Sequence, residues 1–303
     1  MTIAKPIIAV FGATGNQGGG VIRALQNQGR FSVRAITRDA AKAEGLADEV
    51  VQADLTRPDT LADALRGAYG VFVVTNFWAS GDVDELAQGR AAVDAAKEIG
   101  VKHFVWSTLP NVEEISGGKF DVIHFTQKAK VDALVADAGF EFHTFVEAPF
   151  YFQNLTGMMG PQPQEDGSGA WTVPMSPEAK VIHMGDIEQL GTLVAGAFAN
   201  PGRAGQGQRL ALAGDRLSWN EIVVILNAQG HRLAVHRVPA EAYDGFFPGA
   251  RELREMMEYF EAYTYFGPEA ETKLALGREV ATEAATSFAD WAKANMPVDT
   301  AAT

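Results

Sequence analysis

Ile7-Ile8-Ala9-Val10-Phe11-Gly12-Ala13-Thr14-Gly15-Asn16-Gln17-Gly18 runs from an apolar strand into a turn with glycine at every third position, and the turn opens a helix expected from Gly19 to about Gln28. Glycine lets the backbone bend tightly and approach a phosphate, and Gly15 is expected to need positive φ. Free N–H groups and the positive end of the helix favour an anion. The spacing is GxxGxxG rather than GxGxxG. Its position between a strand and a helix near the N-terminus is the context that a dinucleotide-binding unit requires.

The next strand, Phe31-Ser32-Val33-Arg34-Ala35-Ile36-Thr37, ends at Arg38. An NAD-binding unit usually carries an acid there for the ribose 2′-OH. A permanently charged guanidinium suits a 2′-phosphate instead, and Lys42 is near enough in sequence to add a second cation. The cofactor expected is therefore NADP(H). The alternative for both residues is a solvated charge at a helix start.

Outward from this turn, strands and helices alternate as far as Glu147. Further strands read at Val50–Ala53, Gly70–Thr75, Lys102–Ser107 and Glu141–Val146, and helices at Thr60–Leu65, Val83–Ile99 and Phe125–Ala138, the last two closed by Gly100 and Gly139. This rhythm predicts an α/β fold with a doubly wound parallel Rossmann sheet. Ligands then gather beyond the carboxyl ends of the strands, at Phe11-Gly12, Thr37-Arg38, Asp54-Leu55, Thr75-Asn76-Phe77, Ser107-Thr108 and Glu147-Ala148-Pro149. Residues 1–150 read as the nucleotide-binding domain. Residues 151–303 read as a smaller α+β lid for substrate or partner, with segments returning to the first domain. In the lid, Ser218-Trp219-Asn220-Glu221 has the form of a capping box, and Ala250–Ala262 reads as a helix with Leu253, Met256, Met257 and Phe260 on its apolar side. Phe246, Phe247, Pro248, Tyr259, Tyr263, Tyr265 and Phe266 either line a pocket for a planar ligand or form core.

Composition bounds the function. The 303 residues carry a net charge of −13, divided as −5 over residues 1–150 and −8 over the rest, so neither half is suited to direct nucleic-acid binding. With no cysteine there is no disulfide or thiolate chemistry, and the six histidines form no HxxxH or HExxH pattern for a metal. The start Met1-Thr2-Ile3-Ala4-Lys5-Pro6 has no signal-peptide pattern, and no apolar run approaches the ~20 residues of a membrane span. A cytoplasmic location is expected, with a frayed tail at Thr300–Thr303.

His124-Phe125-Thr126-Gln127-Lys128 bears on whether the chain is an enzyme. Short-chain dehydrogenases place tyrosine and lysine one helical turn apart, the lysine holding the nicotinamide ribose and helping the tyrosine donate a proton. Here the spacing is kept and histidine stands for tyrosine. Histidine also moves protons near neutral pH, so His124 and Lys128 are the catalytic candidates if the chain is a reductase. The bland reading is a hydrogen-bonded His124 and a solvated Lys128. Ser107 falls where these enzymes often keep a hydroxyl.

With these residues in view the chain resembles the NmrA-like family of atypical short-chain dehydrogenases, particularly its NADP(H)-sensing members. The likeness is carried by Gly12–Gly19, Thr37-Arg38, Val74-Thr75-Asn76-Phe77-Trp78, His124-Phe125 with Lys128, Pro149–Leu155 and Phe247-Pro248-Gly249-Ala250-Arg251. It implies that Gly12, Ala13, Thr14, Gly15, Asn16, Gln17 and Gly18 contact the pyrophosphate and that Arg38 and Lys42 contact the adenosine phosphate. Asp54 and Leu55 would flank adenine, Thr75, Asn76 and Phe77 would lead towards the nicotinamide, Lys128 would bond its ribose, and Ala148, Pro149, Phe150 and Tyr151 would cover it. Sensor-type relatives carry lysine before a Gln-Gly pair, where this chain has Ala87 before Gln88-Gly89. The family includes regulators that bind a protein partner according to cofactor state, and NADPH-dependent reductases. The missing tyrosine favours a redox sensor or regulator, in which Gly117-Gly118 and the lid would move. The alternative is an NADPH-dependent reductase of quinones or other small planar carbonyl compounds.

Overall fold

The computed structural model describes residues 4–79, 83–157 and 159–298; Met1–Ile3 of the expected start and the Thr300–Thr303 tail lie outside them. In chain order β1 (Ile7–Phe11) leads to α1 (Asn16–Gln28), β2 (Ser32–Thr37), β3 (Glu49–Gln52), α2 (Leu61–Leu65), β4 (Gly70–Val73), α3 (Glu85–Ile99), β5 (His103–Thr108), α4 (Val112–Ser116), α5 (Ile123–Asp137) and β6 (Phe142–Glu147). All six strands expected in this half are present. They read clearly because helices cover both faces of the sheet: Ile8 and Val10 pack into one layer, Ala9 and Phe11 into the other.

Caps move the helix starts. Gly15 is the extended N-cap of α1 (φ −92°), so the helix begins at Asn16 rather than Gly19 and the turn's last residues are its first turn. The Asp84 carboxylate accepts the Ala87 N–H and starts α3 at Glu85 rather than Val83. Helix α5 starts at Ile123, which places His124 in its first turn, and it closes at Asp137, with Gly139 taking the left-handed conformation (φ +79°) two residues later.

Beyond β6 come β7 (Phe150–Tyr151), β8 (Gln162–Pro163), β9 (Gly169–Val173), β10 (Ile182–Gly185), α6 (Leu190–Ala199), α7 (Pro201–Ala204), β11 (Gln206–Ala211) and β12 (Asp215–Leu217). They are followed by α8 (Trp219–Ala228), β13 (Leu233–Arg237), α9 (Ala240–Tyr243), α10 (Ala250–Tyr263), α11 (Ala270–Val280) and α12 (Phe288–Asn295). The main sheet has the order β3-β2-β1-β4-β5-β6-β11 with every pair parallel. Its seventh strand therefore comes from the second half of the chain. Two three-stranded sheets, β12-β10-β7 and β13-β9-β8, lie outside the main sheet. The Ser218–Glu221 capping box opens α8, and α10 buries Leu253, Met256, Met257 and Phe260 as its pattern predicts.

A buried ion network joins the halves. Glu147 at the end of β6 is fully buried and takes Lys273 of α11 at 2.8 Å and Arg209 of β11 at 3.3 Å. Arg209 also holds Asp132 of α5 at 2.6 Å, and Thr108 donates to the same carboxylate. Burial raises the Asp132 carboxyl to about 6 against the lowering pull of Arg209. Among the described residues no helix is long and apolar enough to cross a membrane.

Candidate functional site

Strand order reverses between β1 and β4, and the crevice beyond their carboxyl ends opens into a cleft of about 530 Å³. Gly12 turns the chain out of β1 at φ +68°, a conformation that glycine adopts freely. A Cβ on Gly18 would stand 2.2 Å from the Gly12 carbonyl oxygen, so glycine is required for the helix to close onto the turn. Gly15 is extended, which corrects the expectation of positive φ there; that role belongs to Gly12. Gly12, Thr14, Gly15, Asn16, Gln17 and Gly18 all line the cleft, while Ala13 is buried beneath it. No side chain caps α1, so its first N–H groups are left for a ligand.

Arg38, Asp54 and Leu55 line the end of this cleft beyond β2 and β3, and Gln88 joins them from α3. Asp54 spends one carboxylate oxygen on the Thr56 N–H and hydroxyl. Lys42 lies elsewhere: its ammonium pairs with Asp39 at 3.5 Å on the surface and it is not part of the cleft wall. Ala87 faces a different groove, between α2 and α3.

A second cavity, of about 210 Å³, adjoins the first and shares Gln17, Thr75, Asn76 and Tyr151 with it. Between them Gln17 donates to the Tyr151 hydroxyl at 2.5 Å and accepts from Ser107 at 2.8 Å, so a bar of side chains separates the two spaces. Phe77, His124, Lys128, Ala148, Pro149 and Phe150 line this cavity. Its opposite wall comes from Leu253 and Met256 of α10 with Tyr265. Of the other aromatics in the second half, Tyr259 and Phe266 are fully buried in the core, and Phe246 and Phe247 face outward.

Lys128 is buried and all three of its ammonium donors are taken, by the Thr75 carbonyl at 2.7 Å, the Thr75 hydroxyl at 2.8 Å and Glu85 at 2.7 Å. Thr75 in turn donates to Glu85 at 2.6 Å. Burial pushes the ammonium down in pKa while Glu85 opposes it. Sequence reasoning missed Glu85, because an acid in the first turn of a helix reads as an ordinary dipole partner. It also missed Glu252 of α10, whose Oε1 lies 2.6 Å from His124 Nδ1. The rings of Phe77 and Trp78 stand 5.8 and 5.3 Å from the imidazole.

Sheet order and the glycine turn define a Rossmann-type α/β protein. The profile of the NmrA-like family matches residues 4–295, and the chain belongs to that family. It is 30% identical to an NmrA-like family domain-containing protein of Dictyostelium discoideum over 86% of this chain and 88% of the relative. Among solved structures it is similar to NmrA, a negative transcriptional regulator solved in complex with NADP, at 24% identity and a TM-score of 0.77, covering 96% of this chain and 95% of that one. An NADPH-dependent quinone oxidoreductase of Escherichia coli, complexed with NADPH, matches at 20% identity and a TM-score of 0.77 over 95% and 99% of the two chains.

Proposed function

We propose that the chain is an NADP(H)-dependent reductase of small planar carbonyl compounds, quinones among them. The observation that carries this reading is a protonatable side chain, His124, in the wall of a largely apolar cavity adjoining the glycine-lined cleft. On this reading the α1 N-terminus and its turn hold the pyrophosphate, Arg38 holds the 2′-phosphate, and Asp54 and Leu55 flank adenine. The dinucleotide, when bound, supplies hydride. Lys128 fixes the end of β4 through Thr75 and gives up one of its protein bonds to reach the ribose. Phe77, Pro149, Leu253 and Met256 exclude water from the acceptor, and His124 protonates the oxygen that gains charge. The quinone oxidoreductase of the same fold supports this choice of acceptor.

The second reading, a sensor with little turnover, is favoured by the absent tyrosine and by the full engagement of Lys128, which leaves it no donor to spare before a cofactor arrives. NADPH consumption against a panel of quinones and aldehydes, run beside direct binding of NADP⁺, NADPH, NAD⁺ and NADH, separates the two. Turnover above about 1 s⁻¹ with any acceptor lies in the ordinary enzyme range and excludes the sensor reading. Tight NADP(H) binding with no turnover excludes the reductase.

A further inference from the structure

Helix α5 starts without a cap of its own, because Val122 has no side chain to offer the free N–H groups of the first turn. Helix α10 provides what is missing. Glu255 accepts from the Asp121 N–H at 2.6 Å and Glu252 Oε1 accepts from the His124 N–H at 2.9 Å. The bond to the His124 N–H alone would serve as a cap. The same Glu252 oxygen nevertheless also reaches His124 Nδ1, with the two side chains only 10% and 14% exposed. A carboxylate on Nδ1 makes that nitrogen the protonated one and leaves Nε2, which bonds no described residue, as the nitrogen that exchanges a proton with a ligand.

Resting on the reductase reading, we infer that Glu252 is a positioning residue: the lid helix supplies the carboxylate that fixes the orientation and tautomer of His124, so that Nε2 is the proton donor to the acceptor. As the acceptor takes hydride on carbon, its oxygen takes the Nε2 proton. The ring returns to neutral with Nδ1–H still held by Glu252, and water restores the proton. No other charge competes for the imidazole among the described contacts. Lys128, one turn further along α5, is held by Glu85; Glu255 is engaged by Arg251 and Arg254; Phe77, Trp78 and Phe125 present uncharged rings. Leu253 and Met256, on the same helix as Glu252, line the cavity, so docking of α10 completes the pocket wall and sets the donor together.

The test begins with the unmutated, nucleotide-free protein. Its ¹⁵N chemical shifts at high pH should show the neutral His124 ring carrying its proton on Nδ1, and a ring protonated on Nε2 overturns the inference whatever the activity. In turnover, Glu252→Ala should lower kcat about 10- to 100-fold, the scale set for a mispositioned proton donor, with NADPH affinity and acceptor KM unchanged. Glu252→Gln, which keeps an acceptor oxygen, should restore the Nδ1–H tautomer and part of kcat. An unchanged kcat in Glu252→Ala reduces Glu252 to a helix cap and defeats the inference. An unmutated protein that consumes no NADPH defeats the reductase reading instead, while the ring tautomer still decides whether Glu252 controls His124.

Discussion

Arg38 is exposed at the end of β2 and lines the cleft, whereas Lys42 is taken up by Asp39, so the choice between phosphorylated and unphosphorylated cofactor is expected to fall on one guanidinium. Arg38→Ala should weaken NADP⁺ and NADPH by about 1.5–3 kcal/mol, the worth of hydrogen bonds to a charged group, and leave NAD⁺ and NADH unchanged. Calorimetry with the four dinucleotides measures this, and equal affinities in the unmutated protein defeat the assignment. Lys128 makes a different demand. Lys128→Met leaves Glu85 buried without its counter-charge and should cost about 3–5 kcal/mol of stability in urea unfolding, most of it recovered by adding Glu85→Gln. Nucleotide affinity should stay low in the double variant if the proposed ribose contact of Lys128 is made. The turn and Arg38 are legible in sequence because neighbours along the chain make them. Glu85 and Glu252 are not, since Glu252 reaches His124 across 128 positions through the packing of α10 on α5.

At the scale of elements, the six strands of the first half are legible because burial on both faces leaves unbroken apolar runs. Strand β11 is not. Its sequence Gln206-Gly207-Gln208-Arg209 is polar at the sheet edge, the register shifts between Gln206 and Gln208, and only Leu210 and Ala211 are fully buried. Helix boundaries follow caps more closely than periodicity, as Asp84 and Gly15 show. The Ser218–Glu221 box is both legible in sequence and present, so Ser218→Ala should destabilise the protein by about 1 kcal/mol without altering cofactor affinity. A denaturant midpoint that does not move would show that α8 is held by packing alone. In the glycine turn, Gly18→Val drives a side chain into the Gly12 carbonyl and should abolish dinucleotide binding. Retained binding in a folded variant would place the pyrophosphate elsewhere.

The molecule as a whole is expected to be sensitive to acid through two histidines outside the site. Burial holds His103 down to about 3 and His183 down to about 4, so each stays neutral in the folded state and takes a proton readily only on unfolding. Their contribution to stability is complete above about pH 6.5 and is lost as pH falls towards 3–4. Asp132 works in the opposite sense: with its folded value raised to about 6, protonation between pH 6 and 4 stabilises the native state. Urea midpoints should fall from pH 6.5 to 4 in the unmutated protein, and more steeply in Asp132→Asn. A midpoint independent of pH over that range would refute both assignments.

The return of β11 to the main sheet means that residues 1–150 do not complete that sheet by themselves. A fragment ending at residue 150 would carry Asp132 and Glu147 without Arg209 and Lys273, and would present the β6 edge with no neighbour. Such a fragment should be insoluble or molten when expressed alone. Recombination that exchanged lids between relatives would have to carry across a strand of the recipient's own sheet and the cations that neutralise its buried acids. The glycine-lined cleft and the wall of the adjoining cavity are thereby tied to one folding unit, in which a change along α10 is felt by the sheet that carries the cleft.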